Sequence, residues 1–381
     1  PSCTPCHTVG QGLPGGFISE TATPKLTGVQ CESCHGPSAN HAANYLDPRS
    51  KPLVDKLGTM CGGCHTDSHH PTFEEWNGSG HAQVVEDMNP KAFINSCGRC
   101  HSGSSRLSLL KKKPLPIGQA NVGIGCPTCH DPHAKHVWTD ALSGVRYTNQ
   151  LRQAITSTTD YSLSTSDVFA KKYNPNVNLC AQCHNHRGAS WKSSSRPPHH
   201  SPQYNMLLGT VGELQPGQSH TQPAHASLSK QCVSCHMQTA PAQGETVPAK
   251  TGHSFQVTGY DLCQQCHPYP ELLVQFTRMS VSDQINQLKG WLDLWAQTKA
   301  PAALFAKYGT RAWEYTTPGS LSSGGAGPDS NEQALIPDNI KKARFNLYLV
   351  LHDGSYGVHN GPYVITLLDA AQSWIETELN Q

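Results

Sequence analysis

The chain has 381 residues, enough for two or three domains, yet only 36% of it is hydrophobic and that share includes sixteen cysteines. Polypeptide alone would make a poor core from this composition. Formal charges nearly cancel at +1, which says nothing by itself about partners, and no apolar run approaches the ~18 residues of a membrane-spanning helix, which excludes a transmembrane segment of that kind.

From the amino terminus onward one pattern dominates. C-x-x-C-H recurs as Cys3/Cys6/His7, Cys31/Cys34/His35, Cys61/Cys64/His65, Cys97/Cys100/His101, Cys126/Cys129/His130, Cys180/Cys183/His184, Cys232/Cys235/His236 and Cys263/Cys266/His267, and these eight motifs consume all sixteen cysteines. The pattern attaches a c-type haem: two thioethers join the sulfurs to the porphyrin, and the His binds iron from one face. Paired C-x-x-C units could instead build zinc sites or redox-active dithiols. Neither needs a His after the second Cys, and a residue type present 22 times in 381 does not fall there eight times out of eight by accident.

The first cysteines are spaced by 28, 30, 36, 29, 54, 52 and 31 residues, an irregular repeat unlike a solenoid. Residues 1–140 form a block with haems one to five. A Ser/Thr-rich connection covers 141–177, with "TSTTDYSLSTSD" at 156–167 reading as a solvated loop. Residues 178–267 carry haems six to eight. With 33 glycines and 28 prolines the expected fold is mainly coil with short α-helices wrapped around eight c-type haems, an α-helical C-terminal region and little β. The flat apolar porphyrins replace Leu and Val as core, and the apoprotein should be largely unfolded.

After His267 the cysteines stop and helical periodicity begins. Ile285, Leu288, Leu292 and Trp295 recur at spacings of three and four, as do Ile340, Ala343, Leu347 and Leu351. A last helix carries Val364, Leu367, Leu368, Ala371 and Ile375, and "GSLSSGGAGPDSNE" between them reads as a flexible connector. Residues 268–381 are thus expected as a helical domain packed on the haem block or on a neighbouring subunit.

Haem attachment takes place outside the cytoplasmic membrane, so a secreted protein is expected, extracellular, cell-surface or periplasmic. The first haem Cys is residue 3 with no charged and apolar leader before it, as in a mature form after signal-peptide removal. Ionised propionates would bring the net charge to about −7 when oxidised, which argues against a nucleic-acid partner.

Function turns on the second face of each iron, because an iron with two strong ligands passes electrons whereas one with an open face can take substrate. Fourteen histidines lie outside the motifs, enough for eight second ligands. In these motifs the chain resembles the superfamily of multihaem cytochromes c that includes pentahaem nitrite reductase, hydroxylamine oxidoreductase, octahaem tetrathionate reductase and the extracellular cytochrome nanowires. The resemblance implies second ligands from "CESCHGPSANH" (His41), "WNGSGHA" (His81), "CPTCHDPH" (His133), "GHSF" (His253) and "GSYGVHNGPY" (His359). The pairs in "SHHP" and "PPHHSP" suggest His70 and His200, and His225 is taken over His220 for the eighth. His136, His186 and His352 stay open as alternatives.

The leading expectation is an electron carrier exchanging electrons with redox partner proteins or extracellular acceptors. The alternative is an oxidoreductase acting on a small nitrogen or sulfur compound at one open haem. Every motif here ends in His, whereas the nitrite reductase branch commonly uses C-x-x-C-K at its catalytic haem. A crosslinking Tyr of the hydroxylamine oxidoreductase kind would have Tyr147, Tyr161, Tyr173 and Tyr204 as candidates. Cys3, so near the amino terminus, further suggests a head-to-tail homopolymer in which terminal haems of neighbouring subunits meet.

Overall fold

The computed structural model describes residues 3–134, 136–139, 146–152, 179–221, 223–228, 230–244 and 246–381. The Ser/Thr-rich stretch at 156–167, with Tyr161 and Tyr173, lies outside the described residues. The chain divides into two compact units, one of Pro1–Val137, Thr148–Arg152 and Cys235–Thr258, the other of Trp138–Tyr147, Gln153–Ser234 and Gly259–Gln381.

The first unit consists of single-turn helices, 3-10 turns and loops, as in Thr4–His7, Cys31–His35, Thr72–Asn77 and Cys126–Cys129. Its longest helix, α1, runs Gly103–Leu110 and starts where the Ser102 hydroxyl accepts from the Ser105 N–H, the usual service of an N-cap. Regular strand is confined, among the described residues, to β1 (His136–Thr139) and β2 (Arg146–Asn149), which pair with each other. Its side-chain core is small: Met88, Ile94 and Ala120 form a cluster, and Val9, Phe17, Trp76 and Leu107 are buried apart from it. Meanwhile Val29, Tyr45, Leu53 and Val54 stand 61–70% exposed beside motifs two and three.

The second unit has what the first lacks. Helix α2 (Gln203–Leu208) is followed by α3 (Pro270–Thr298), α4 (Asp338–Asp353) and α5 (Gly361–Asn380). Val281, Ile285, Leu288, Leu292 and Trp295 of α3 form a buried stripe, and Val364, Leu367, Leu368, Ala371 and Ile375 of α5 form another. Between them α4 is buried nearly all round from Ala343 to Val350, as befits the central helix of a bundle. Met206 and Val211 join the same core. Asn346, fully buried on α4, is saturated: its Oδ1 accepts the Glu213 N–H at 2.8 Å, and its Nδ2 donates to Glu213 O at 2.9 Å and Leu367 O at 3.0 Å.

The segment expected to be a flexible connector is instead packed. A side chain at Gly319 would meet the Tyr348 ring at 2.4 Å, and one at Gly327 would meet Tyr315 O at 2.0 Å. Ser322 Oγ donates to the buried Glu314 carboxylate at 2.8 Å, and Gly327 N–H to Thr316 O at 3.1 Å. Gly319 thus serves close approach to α4, and Gly327 close approach to Tyr315, rather than freedom. Among the described residues no helix is long and apolar enough to cross a membrane.

Candidate functional site

One turn of helix suits the motif. Residues i and i+3 share a helical face, so a turn over C-x-x-C brings both sulfurs to one side and sets the next His beside them. In motifs one, three, five, six and eight the same bond closes that turn: the His N–H donates to the carbonyl of the first Cys, at 2.8–3.1 Å. None of the sixteen cysteines forms a disulfide. Among the described residues no three His, Cys, Asp or Glu side chains converge on one point, so the donors come as Cys pairs and single imidazoles rather than as tetrahedral clusters.

The motifs nevertheless do not share one backbone, contrary to what their repeated pattern suggests. Helix holds all of motif two (Cys31, Cys34 and His35) and all of motif seven, where Cys235 and His236 end Gln231–His236. Cys3 is the N-cap residue of Thr4–His7 in motif one, and His130 directly follows Cys126–Cys129 in motif five. Motif three is a 3-10 turn over Thr59–Gly63, so Cys64 and His65 fall beyond it. Motif four straddles a junction, with Cys97 in the π turn Ile94–Gly98 and Cys100 and His101 in the helical turn Arg99–His101. In motif six Cys183 is on a turn and His184 on the bend after it, and in motif eight Cys266 and His267 lie past the helix Asp261–Gln264, which holds Cys263. Cys100 and Cys183 are half-buried and Cys266 is exposed.

The histidines of the motifs stand in different surroundings. His65 is exposed and its carbonyl accepts the Phe73 N–H at 2.9 Å. Burial, and then neighbouring charge that includes His65, lowers the pKa of His130 and of His253. His101 is half-buried. His184 is exposed, with Nδ1 at 3.3 Å from Gln203 Oε1 and its carbonyl accepting the Tyr204 N–H at 3.1 Å. His236 is half-buried, and its Nδ1–H donates to Phe255 O at 3.1 Å.

Motifs distant in sequence are brought together. Cys126 N–H donates to Leu57 O at 3.2 Å and its thiol to Gly58 O at 3.8 Å, setting motif five against the segment that leads into motif three. Neighbouring thiols link further motifs: burial and then the Cys6 thiol of motif one raise the pKa of Cys64 in motif three, and the Cys180 thiol of motif six lowers that of Cys232 in motif seven. Gly58, at φ +90°, lines the first of these junctions: a Cβ there would lie 2.8 Å from Cys126 Sγ.

The eight histidines expected as second ligands fall out as follows. His41 is half-buried, with Nδ1 at 3.4 Å from Ser50 Oγ. His70 is exposed, and its carbonyl accepts the Thr72 N–H at 2.7 Å. His81 meets the Phe255 ring edge-on at 4.3 Å. His133 sits on a tight turn in which Asp131 Oδ1 accepts its N–H, Asp131 being held by Arg152 at 2.9 Å; its ring centroid is 6.0 Å from that of His35. His200 is exposed, 3.6 Å from the ring of His352. His225 Nδ1–H donates to Val358 O at 3.0 Å, and its ring lies 6.0 Å from His267. His253 Nδ1–H donates to Thr251 O at 3.0 Å, and its ring lies 6.3 Å from His130. His359 pairs with Asp353 at 2.7 Å, a contact that holds its imidazole above the usual range although burial works the other way.

Of the alternatives, His352 carries the clearest structural signal. It is buried on the last turn of α4, its Nδ1–H donates to Pro198 O at 2.6 Å, and its Nε2 is buried without a hydrogen-bond partner. A carbonyl can only accept, so Nδ1 carries the hydrogen and Nε2 offers a lone pair, the arrangement of a metal-ligating imidazole. In sequence this residue stands only among the open alternatives; a His just after the buried run to Val350 was the available signal.

These features fit covalent haem: sulfur pairs one turn apart, carbonyl-tethered imidazoles, a glycine where a Cβ would press on a sulfur, and apolar side chains standing uncovered beside motifs. When bound, haem supplies an iron that cycles between ferrous and ferric states within a flat apolar ring. The array defines a c-type haem protein. The family described as cytochrome c554 and c-prime matches residues 1–36 and 179–268, which hold motifs one, two and six to eight. The multiheme cytochrome MtrA of Shewanella baltica (strain OS185) is 26% identical over 165 residues, which is 36% of this chain and 47% of that relative, so the match spans about half its length. Among solved structures, the outer cell wall cytochrome OcwA has a TM-score of 0.62 at 20% identity, covering 98% of this chain and 76% of that one. The undecaheme cytochrome from the S-layer of Carboxydothermus ferrireducens has a TM-score of 0.52 at 22% identity, covering 92% and 50%. By its motifs and these matches the chain is similar to the multihaem c-type cytochromes.

Proposed function

We propose that the chain is an electron carrier in which eight haems c, one per motif, pass electrons among themselves and to redox partners outside the cytoplasmic membrane. The observation that carries this reading is the supply of second axial donors. His225, His253 and His352 lie outside the motifs and each ties Nδ1 to a backbone carbonyl, leaving Nε2 for a metal. An iron closed on both faces exchanges electrons and takes no substrate. Fold relatives described as outer cell wall and S-layer cytochromes support a place at the cell surface.

Two measurements test it. Intact mass with a haemochrome assay should count eight haems per chain. Electron paramagnetic resonance of the oxidised protein should show only low-spin ferric iron, and the reduced protein should bind no carbon monoxide. A high-spin signal with one stoichiometric carbon monoxide adduct would move the chain to the oxidoreductases acting on small nitrogen or sulfur compounds.

A further inference from the structure

The spacing of imidazole rings carries the reading further, to individual irons. A metal–imidazole bond of about 2 Å on either side, plus roughly 1.1 Å from each Nε2 to its ring centre, sets the two centroids of a bis-His site about 6 Å apart. Among the described residues, three ring pairs that join a motif His to a His outside the motifs have that spacing: His35 with His133 at 6.0 Å, His130 with His253 at 6.3 Å, and His225 with His267 at 6.0 Å. Each combines one motif His with one His from outside the motifs, as one proximal and one distal ligand must. In each pair at least one ring is held with its Nδ1–H on a backbone carbonyl: His35 on Leu53 O at 2.6 Å, His253 on Thr251 O and His225 on Val358 O, each at 3.0 Å. The adjacent His199 and His200, 6.4 Å apart, include no motif His. His200 and His352, at 3.6 Å, are too close to bracket an iron.

We infer that His133 is the distal ligand of haem two, His253 of haem five and His225 of haem eight. The assignment covers the irons of His35, His130 and His267 and leaves aside those of His7, His65, His101, His184 and His236. It rests on the electron-carrier reading of the same irons. The wiring is non-local: the turn after motif five serves haem two, the loop after motif seven serves haem five, and the turn before motif seven serves haem eight. Each distal ligand thus ties two haem-bearing segments together.

The planes of the paired rings supply the test. Nearly parallel axial imidazoles give a low-spin ferric haem a rhombic paramagnetic resonance spectrum, whereas nearly perpendicular ones give the highly anisotropic kind with one very large g value. His35 and His133 are inclined by 9°, His130 and His253 by 28°, and His225 and His267 by 79°. In the full holoprotein, His133→Met should remove one haem's worth of rhombic signal, and His225→Met one haem's worth of highly anisotropic signal. Each should introduce one His/Met haem of raised potential, visible by its sulfur-to-iron near-infrared band. Unchanged signals, or the two losses interchanged, would overturn the pairing. Should either variant fail to accumulate, a holoprotein structure by electron microscopy decides the same point: iron bonded to both members of each pair supports the assignment, and any other sixth ligand overturns it. High-spin iron in the wild type, by contrast, counts against the electron-carrier reading and not against these three pairs.

Discussion

The carboxylate of Glu75 clamps the loop that delivers His253, and replacing it measures how firmly that imidazole is presented. Oε1 accepts the Thr251 N–H at 2.9 Å, and Oε2 accepts Thr251 Oγ–H at 2.8 Å and the His253 N–H at 2.7 Å. Burial alone would raise the Glu75 pKa, but these donors hold it below the ordinary range. Hydrogen bonds to a charged group contribute roughly 1.5–3 kcal/mol each when fully buried. Glu75 is partly exposed and the freed N–H groups can be hydrated, so Glu75→Ala should cost about 2 kcal/mol, roughly a 30-fold weaker docking of the loop. Glu75→Gln keeps one acceptor oxygen and should cost about half as much. Amide hydrogen exchange of the holoprotein reads this directly: protection at Thr251 and His253 should fall by roughly the same 30-fold in the Ala variant. Exchange at the wild-type rate would refute the clamp. Gly252, at φ +80° and packed so that a Cβ would lie 2.6 Å from the Met237 backbone, marks the same loop as sterically fixed on its other side.

Gly58→Ala should lower the melting temperature and the haem content together, because the new Cβ would meet Cys126 Sγ at 2.8 Å from a backbone at φ +90°; a cost of about 1–3 kcal/mol is expected, and unchanged melting would count against the tight junction of motifs three and five. Arg344 is fully buried and donates to Trp313 O and Glu314 O at 2.7 Å and to Gln333 Oε1 at 2.8 Å. Arg344→Met therefore strands three acceptors and the buried Glu314, and about 3–5 kcal/mol should be lost in denaturant unfolding followed by tryptophan fluorescence; a loss under about 1 kcal/mol would show that the network is not buried in solution. Burial raises the Glu314 pKa despite its bonds from Tyr348 and Ser322. A folded-state value above the unfolded one means that this group's stabilising contribution is complete below about pH 4.3 and is lost as pH rises through the folded-state pKa. The stability profile of Glu314→Gln should lack that decline, and an unaltered profile would exclude Glu314 as its source.

The parts of this molecule legible in sequence are those whose chemistry or periodicity is local. C-x-x-C-H states its sulfur pair and its imidazole within five residues, and the stripes at Ile285–Trp295 and Val364–Ile375 are buried as their spacing predicts. What escaped depends on neighbours or on partners far away in the chain. The same five-residue pattern is helix through His236 but breaks before His65 and His184, since the residues around it decide whether the turn continues. The glycines of 319–327 look like a linker until Tyr348 and Tyr315 are seen against them. His352 looks like an odd core residue until Pro198 O, 154 residues away, fixes its tautomer. Asp353 and His359 lie six apart, across the turn that ends α4 at Gly354 with φ +74°, a spacing that no helical or strand period highlights.

The C-terminal helices hold no cysteine, yet they are tied to the imidazole supply of their unit. Helix α4 ends on His352 and Asp353, and the seven-residue reach from Asp353 to Asn360 presents His359 and the Val358 carbonyl that orients His225. Asn360 then caps α5 by accepting the Tyr363 N–H and donates to Thr221 O at 3.0 Å, fixing the far end of that loop. A ligand on a rigid, close-packed scaffold keeps its geometry through redox cycling, whereas one on a free loop adds reorganisation to every transfer. The first unit has only a small side-chain core, and there the pairs proposed above, His35 with His133 and His130 with His253, would each fasten two segments of chain. On the same proposal the second unit has both means, apolar helix packing and the pairing of His225 with His267.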